Sequence, residues 1–105
     1  MIEVREYLQP DGRSPYGAWF ARLNPQAAAK VATAMTRLAG GTLSNVKGVG
    51  SGVFEYKIDF GPGYRVYFGK DGHRVVILLG DGTKKRQQHD IEAASMNWQN
   101  YKRRR

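Results

Sequence analysis

The chain contains no cysteine, so neither a disulfide framework nor a thiolate metal site is open to it. Its two histidines, His73 and His89, are far apart and lack a neighbouring carboxylate pair, which argues against a histidine-based metal centre. No run of eighteen apolar residues occurs, and the first thirty residues lack the basic-then-apolar order of a secretory signal. The expectation is a cytoplasmic protein that stays out of membranes and uses neither a metal nor another cofactor. The sequence also has no GxxxxGK followed by Ser or Thr, and no GxSxG, which excludes a phosphate-cradling loop and a nucleophile elbow. Carboxylates are scarce: nine Asp and Glu stand against seventeen Lys and Arg, a formal charge of +8.

That imbalance, with an isoelectric point near 10.1, is the electrostatic footprint of a protein that approaches phosphates or another polyanion. Seven of the seventeen basic residues fall in positions 84–105: Lys84, Lys85, Arg86 and the run Lys102–Arg105. A solvated surface and a soluble tail explain the same composition, so charge alone leaves both readings open. At 105 residues and 41% apolar content there is material for one core and one domain. Any active surface is then shallow, or completed by a larger partner. The domain is read as residues 1–101, with 102–105 as a basic C-terminal tail.

Residues 1–8 alternate Ile2 and Val4 with Glu3 and Arg5, a short strand. Pro10 and Asp11-Gly12 turn the chain, and Ser14-Pro15 opens a helix with a hydroxyl cap and proline in the first turn. Asn24-Pro25 opens a longer one, with Ala28, Val31, Met35 and Leu38 on one face, ended by Gly40-Gly41. After a glycine-rich loop at 48–52 the period changes to two. Phe54, Tyr56, Ile58 and Phe60 share one face of a half-buried strand. Gly61-Pro62-Gly63 turns into a strand at 64–68, and Asp71-Gly72 turns into a central strand at 73–79. Asp90 caps a last helix whose Ile91, Ala94, Trp98 and Tyr101 form a stripe. The expected class is α+β, in the order β-α-α-β-β-β-α. A helical hairpin packs on one face of a small, mainly antiparallel sheet, and the other face is at least partly open.

If the 61–63 loop pairs Phe60 with Tyr64, then Asp59 lies opposite Arg65 and Lys57 opposite Tyr67. Parity then puts Lys57, Arg65 and Tyr67 on the open face, beside Lys84, Lys85, Arg86 and His89. Such a surface suits an RNA backbone. Cleavage through the 2′-hydroxyl needs a proton acceptor, a cation for the phosphorane and a proton donor, and no metal. Arginine forks onto phosphate oxygens and fits the second role. A lysine among cations suits the first. Histidine or tyrosine suits the third, and Tyr67 can instead stack on a base. The plainer readings stand beside these. Asp59–Arg65 is then a surface ion pair and Lys57 and Tyr67 are sheet decoration; both histidines read first as surface residues, and Trp19 and Trp98 as core or partner-facing side chains rather than base-stacking ones.

The block Phe54–Phe68, FEYKIDFGPGYRVYF, and the later VVILLGDGTKKRQQHDIEAA resemble the HigB-like addiction module killer branch of the RelE/ParE toxin superfamily. That branch shows E-x-R/K-I-x-x-G-P-G-Y-R-V-Y-F, then a leucine-rich strand, a glycine-rich loop with a lysine, and a Q-x-x-D-I helix start. Here these are Glu55, Lys57, Ile58, Gly61–Phe68, Leu78-Leu79, Lys84, Gln87 and Asp90-Ile91. The resemblance implies the toxin of a type II toxin–antitoxin system, a ribosome-dependent, metal-independent mRNA endoribonuclease. Its partners would be the ribosome, mRNA and a cognate antitoxin, a small helix-turn-helix protein, in a complex that includes heterotetramers. Carried over by position, Lys57, Arg65 and Lys84 are the catalytic set, with Tyr67, Lys85, Arg86 and His89 on the RNA. The chain departs from the branch at Thr83, where an acidic residue is usual, at Lys85-Arg86, and at Lys57 in place of the commoner arginine. The C-terminal tyrosine of some members has no counterpart beyond His89 or Tyr101. The same superfamily implies a second reading, a ParE-like, non-catalytic poison of DNA gyrase. Retention of the basic set favours the nuclease.

Overall fold

A computed structural model describes residues 2–105. The elements are β1 (Glu3–Glu6), α1 (Pro15–Ala21), α2 (Pro25–Ala39), β2 (Val46–Gly50), β3 (Val53–Ile58), β4 (Tyr64–Asp71), β5 (Val75–Gly82), a single 3₁₀ turn (Lys84–Arg86) and α3 (Gln87–Arg104). Five strands form one mixed sheet in the order β1-β5-β4-β3-β2. β1 runs parallel to β5, and every other pairing is antiparallel. The class is α+β with three helices. Among the described residues no helix is long and apolar enough to cross a membrane.

Both helix starts form as their sequences dictate. Ser14 Oγ accepts from the Gly17 amide at 2.9 Å and Asn24 Oδ1 from the Ala27 amide at 2.9 Å, each with proline in the first turn. α2 ends in a left-handed Gly41 (φ +88°), where the Gly41 amide donates to Leu38 and the Thr42 amide to Arg37. Its buried stripe is Ala27, Val31, Ala34 and Leu38, so Ala27 and Ala34 take the deepest positions where Ala28 and Met35 were expected. The α1–α2 hairpin packs on Tyr56, Ile58, Val66, Phe68, Val76 and Leu78, the even-numbered residues of β3, β4 and β5.

The structure departs from several expectations. The stretch read as a loop at 48–52 contains most of an additional strand, so the order is β-α-α-β-β-β-β-α. Gly48 and Gly50 hide the period-two pattern of β2. Its pairing to β3 is made possible by a two-residue turn in which Ser51 (φ +57°) and Gly52 (φ +79°) are both left-handed. α3 begins at Gln87 rather than behind an Asp90 cap, and it continues through Arg104, so all but the last of the residues set apart as a tail are helical. Tyr101 donates to Asp71 Oδ2 at 2.5 Å, Arg104 Nη2 to the Leu8 carbonyl at 2.7 Å, and Arg105 Nη1 to Asp71 Oδ1 at 2.7 Å.

The second sheet face, expected to be open, is covered by α3. Ala94 and Trp98 are buried there against Tyr7, Val53, Tyr67, Ile77 and Leu79, with Ile91 and Tyr101 at the margin. The stripe expected on this helix is the surface that does the covering. Trp98 reaches the sheet because Gly69 lies beneath it: a methyl group at Gly69 would overlap the indole. Replacing Gly69 by Ala is therefore expected to cost about 1–3 kcal/mol, as overpacking does, and Trp98→Ala about 3–5 kcal/mol. Urea unfolding curves of the two variants test this; wild-type midpoints would show that α3 is not packed as described.

Candidate functional site

Residues whose side chains escape the cover of α3 gather where β3 and β4 approach the 61–63 loop. The register there is Ile58 opposite Tyr64, Lys57 opposite Arg65 and Glu55 opposite Tyr67. It differs by two residues from the pairing expected of a tight 61–63 loop. The turn is wider than expected: Phe60 bonds back to Ile58 and Gly63 to Phe60, which leaves Asp59 and Phe60 outside the ladder. A two-residue shift preserves parity, so Lys57, Arg65 and Tyr67 still share a face. Their partners change.

Arg65 and Glu55 form a buried ion pair, Nε to Oε1 at 3.3 Å, with residue exposures of 5% and 1%. Glu55 also accepts a 2.7 Å hydrogen bond from Gln87 Nε2, the first residue of α3, and lies 3.7 Å from Lys47 Nζ on β2. Arg65 Nη1 donates to the Gly63 carbonyl at 2.7 Å. Four elements thus converge on one carboxylate. Lys57, exposed, pairs with Asp59 at 3.6 Å, so Asp59 does not meet the Arg65 expected opposite it. Lys84 comes close to Arg65: a Cβ built on Gly63 would be 3.4 Å from Arg65 Nη1 and 3.6 Å from Lys84 Cβ. Lys47, Lys84, Lys85, Gln87 and Gln88 rim an open cleft of about 550 Å³.

Lys57, Arg65, Lys84 and Lys85 are therefore neighbours at one end of the sheet, but not on an open face. Arg65 is largely buried. Tyr67 is fully buried under α3, so it offers no ring to a base; the expectation that parity would leave it in solvent fails because Trp98 and Ala94 occupy that side. Its hydroxyl makes no hydrogen bond, and burial together with the Glu55 charge pushes its pKa far up. Such a phenol is a poor proton donor. Arg86 is exposed at the end of the 3₁₀ turn. His89 lies instead in a separate hollow with Glu92, Ala93 and Met96. Three participants were missed as such. Lys47 was hidden in the unrecognised strand, and Gln87 and Glu55 were visible only as parts of a motif, Glu55 on the strand face expected to meet solvent.

A carboxylate on the adjacent strand is perturbed. Asp81, on β5, has its pKa raised to about 6, first by burial and then by Asp90, against the opposing pull of Arg22. The raised folded-state value means that the folded chain holds this proton more tightly than the unfolded chain does. The associated stability is present below pH 4 and is lost as pH rises through about 6. Asp81→Asn is expected to abolish that part of the pH dependence and to raise the melting temperature at neutral pH; an unchanged profile would exclude Asp81 as its source. Glu55→Gln, which leaves Arg65 buried without its counter-charge, is expected to cost about 3–5 kcal/mol in urea unfolding.

No family model matches the chain. Over 82 residues, 77% of this chain and 83% of the relative, it is 39% identical to an uncharacterized protein of Haemophilus influenzae.

Proposed function

We propose that this chain, which belongs to the same family as the Haemophilus influenzae protein, is the toxin of a type II toxin–antitoxin pair and cuts messenger RNA on the ribosome. The observation that carries the reading is the convergence of Arg65, Lys84 and Lys57 around the Gly63 turn. The resemblance of Gly61–Phe68 and Lys84–Ile91 to the HigB-like branch supports the same conclusion. A cytoplasmic site of action and an antitoxin that masks positive surface follow from this reading.

The chemistry is that of an RNA strand attacking itself. The 2′-oxygen bonds to the adjacent phosphorus, the 5′-oxygen departs with a proton, and a cyclic phosphate remains. The phosphorane carries one more negative charge than the diester, so the groups that matter are cations already in place. Arg65 fits that role. Glu55 and the Gly63 carbonyl hold its guanidinium rigid, so little side-chain entropy is lost on meeting a phosphate. Lys84 supplies a second, mobile charge beside it. Lys57, opposite Arg65 across the strands, is the amine assigned to the 2′-proton, a role open to it once it leaves its ion pair with Asp59. The cleft is open and polar, as suits a site completed by another macromolecule. Lys85 and Arg86 extend the positive surface along the strand path.

Lys84 is exposed, so its removal tests chemistry rather than folding. Lys84→Ala is expected to reduce translation-dependent mRNA cleavage by about 10²-fold or more and to relieve growth arrest. Arg65→Lys is expected to impair cleavage as well, because the fork is lost while the charge stays. Cleavage at wild-type rate in both variants would remove this site assignment. Induction that triggers a DNA-damage response with intact messages would replace the nuclease reading by the gyrase-poison one.

A further inference from the structure

A second cleft lies on the other side of Lys57. It occupies about 250 Å³ between α2 and the end of β3, and Lys30, Thr33, Arg37, Asn45, Lys57 and Asp59 form its exposed rim. Its apolar floor, Ala34, Tyr56 and Ile58, is buried and adds little surface for a hydrophobic partner. Among the described residues neither Lys30 nor Arg37 has a carboxylate within salt-bridge distance. Lys30 stands over the Phe60 ring at 5.7 Å. Three cations around a small polar hollow, with one carboxylate already engaged by Lys57, match a phosphodiester.

The two clefts are joined. Lys57 rims the second and is the cross-strand neighbour of Arg65, which lies across Gly63 from Lys84 of the first. Asn45 rims the second cleft, and Lys47, two residues along the same segment, rims the first. The Lys57 amide also donates to the Asn45 carbonyl at 3.1 Å, which fixes the two rims to each other. Positive charge therefore continues from the Lys84 cleft around the β2 edge of the sheet to α2.

We propose that the α2–β3 cleft is a second phosphate subsite, which holds the same single RNA strand a few nucleotides from the position at Arg65 and Lys84. The inference rests on the nuclease reading for the identity of the strand, but not for the subsite itself. An amphipathic acidic peptide is the weaker fit, because it needs exposed apolar area beside the cations, whereas a sugar–phosphate backbone needs only the cations and polar donors.

The double variant Lys30→Gln/Arg37→Gln tests it, and both positions are solvent-exposed. Binding is measured by fluorescence anisotropy across a salt series, with uncleavable 2′-O-methyl RNA as a trinucleotide and as a single strand of about 12 nucleotides. The expected result is a salt slope on the long strand shallower by about 0.7 for each phosphate that the double variant no longer neutralises, with trinucleotide binding unchanged. Lys84→Gln is expected to weaken both probes. A double variant that keeps the wild-type slope on the long strand overturns the subsite. So does wild-type protein that binds neither probe. So does a double variant that loses a poly-glutamate peptide while its RNA slope stays intact, which assigns the cleft to an acidic protein. A shallower slope in the double variant, alongside wild-type protein that leaves messages uncut, supports the subsite and removes only the nuclease reading.

Discussion

The Glu55–Arg65 pair is the constraint on which the rest of the site depends. Two ions of opposite sign are held out of water on adjacent strands, where desolvation opposes their attraction. Their burial is tolerable because neighbouring groups meet most of their polar atoms, while Arg65 Nε faces Glu55 without a hydrogen bond. Gln87 donates to the carboxylate, Lys47 stands near it, and the Gly63 carbonyl accepts from the guanidinium. The result is an arginine that cannot swing, set into a positively charged rim. The register makes the arrangement necessary. Lys57 and Arg65 are directly opposed like charges, a destabilising arrangement across two strands. Each is relieved by its own carboxylate, Asp59 for one and Glu55 for the other.

The same pair links the site to the cover of the sheet. α3 lies close because β4 offers no side chain at Gly69, where Trp98 descends, and because Gly52 passes under the indole nitrogen. At its start the helix is tied to Glu55 through Gln87. At its end Tyr101, Arg104 and Arg105 fasten it to Asp71 and Leu8. With both faces of the sheet occupied, the exposed cations of the site lie at the end of β3 and β4 and around the edge at β2, as a band rather than a plane.

Much of this was legible in the sequence, and the failures have physical causes. The helix caps at Ser14 and Asn24 were readable because a single side chain satisfies an otherwise unbonded amide. The stripe on α3 was equally plain, yet its consequence was not: periodicity shows that a helix has a buried face, but not which sheet face it buries. β2 escaped because glycines erase alternation, and its existence depends on pairing with β3 rather than on its own residues. The two-residue register shift came from assuming the tightest turn at 61–63. Parity kept the faces correct while every cross-strand partner changed, and Glu55 took the place assigned to Asp59. The composition of the site was thus accessible from sequence, whereas the burial of Arg65 and Tyr67 is a property of the tertiary packing.

The parallel pairing of β1 with β5 has a consequence for how the protein comes into being. Glu3 must find Val75, so the sheet is closed by one of the longest loops that the chain can form. Pairings of such separation slow folding and keep strand edges unsatisfied until late. During synthesis from the N-terminus, α1 and α2 are complete long before β5 exists to receive β1. Lys84 and Gln87 follow β5 in the chain, and the anchoring residues of α3 come last of all. A nascent chain therefore carries no assembled cationic site while most of it is being made, and the surface takes shape only as the final segment docks.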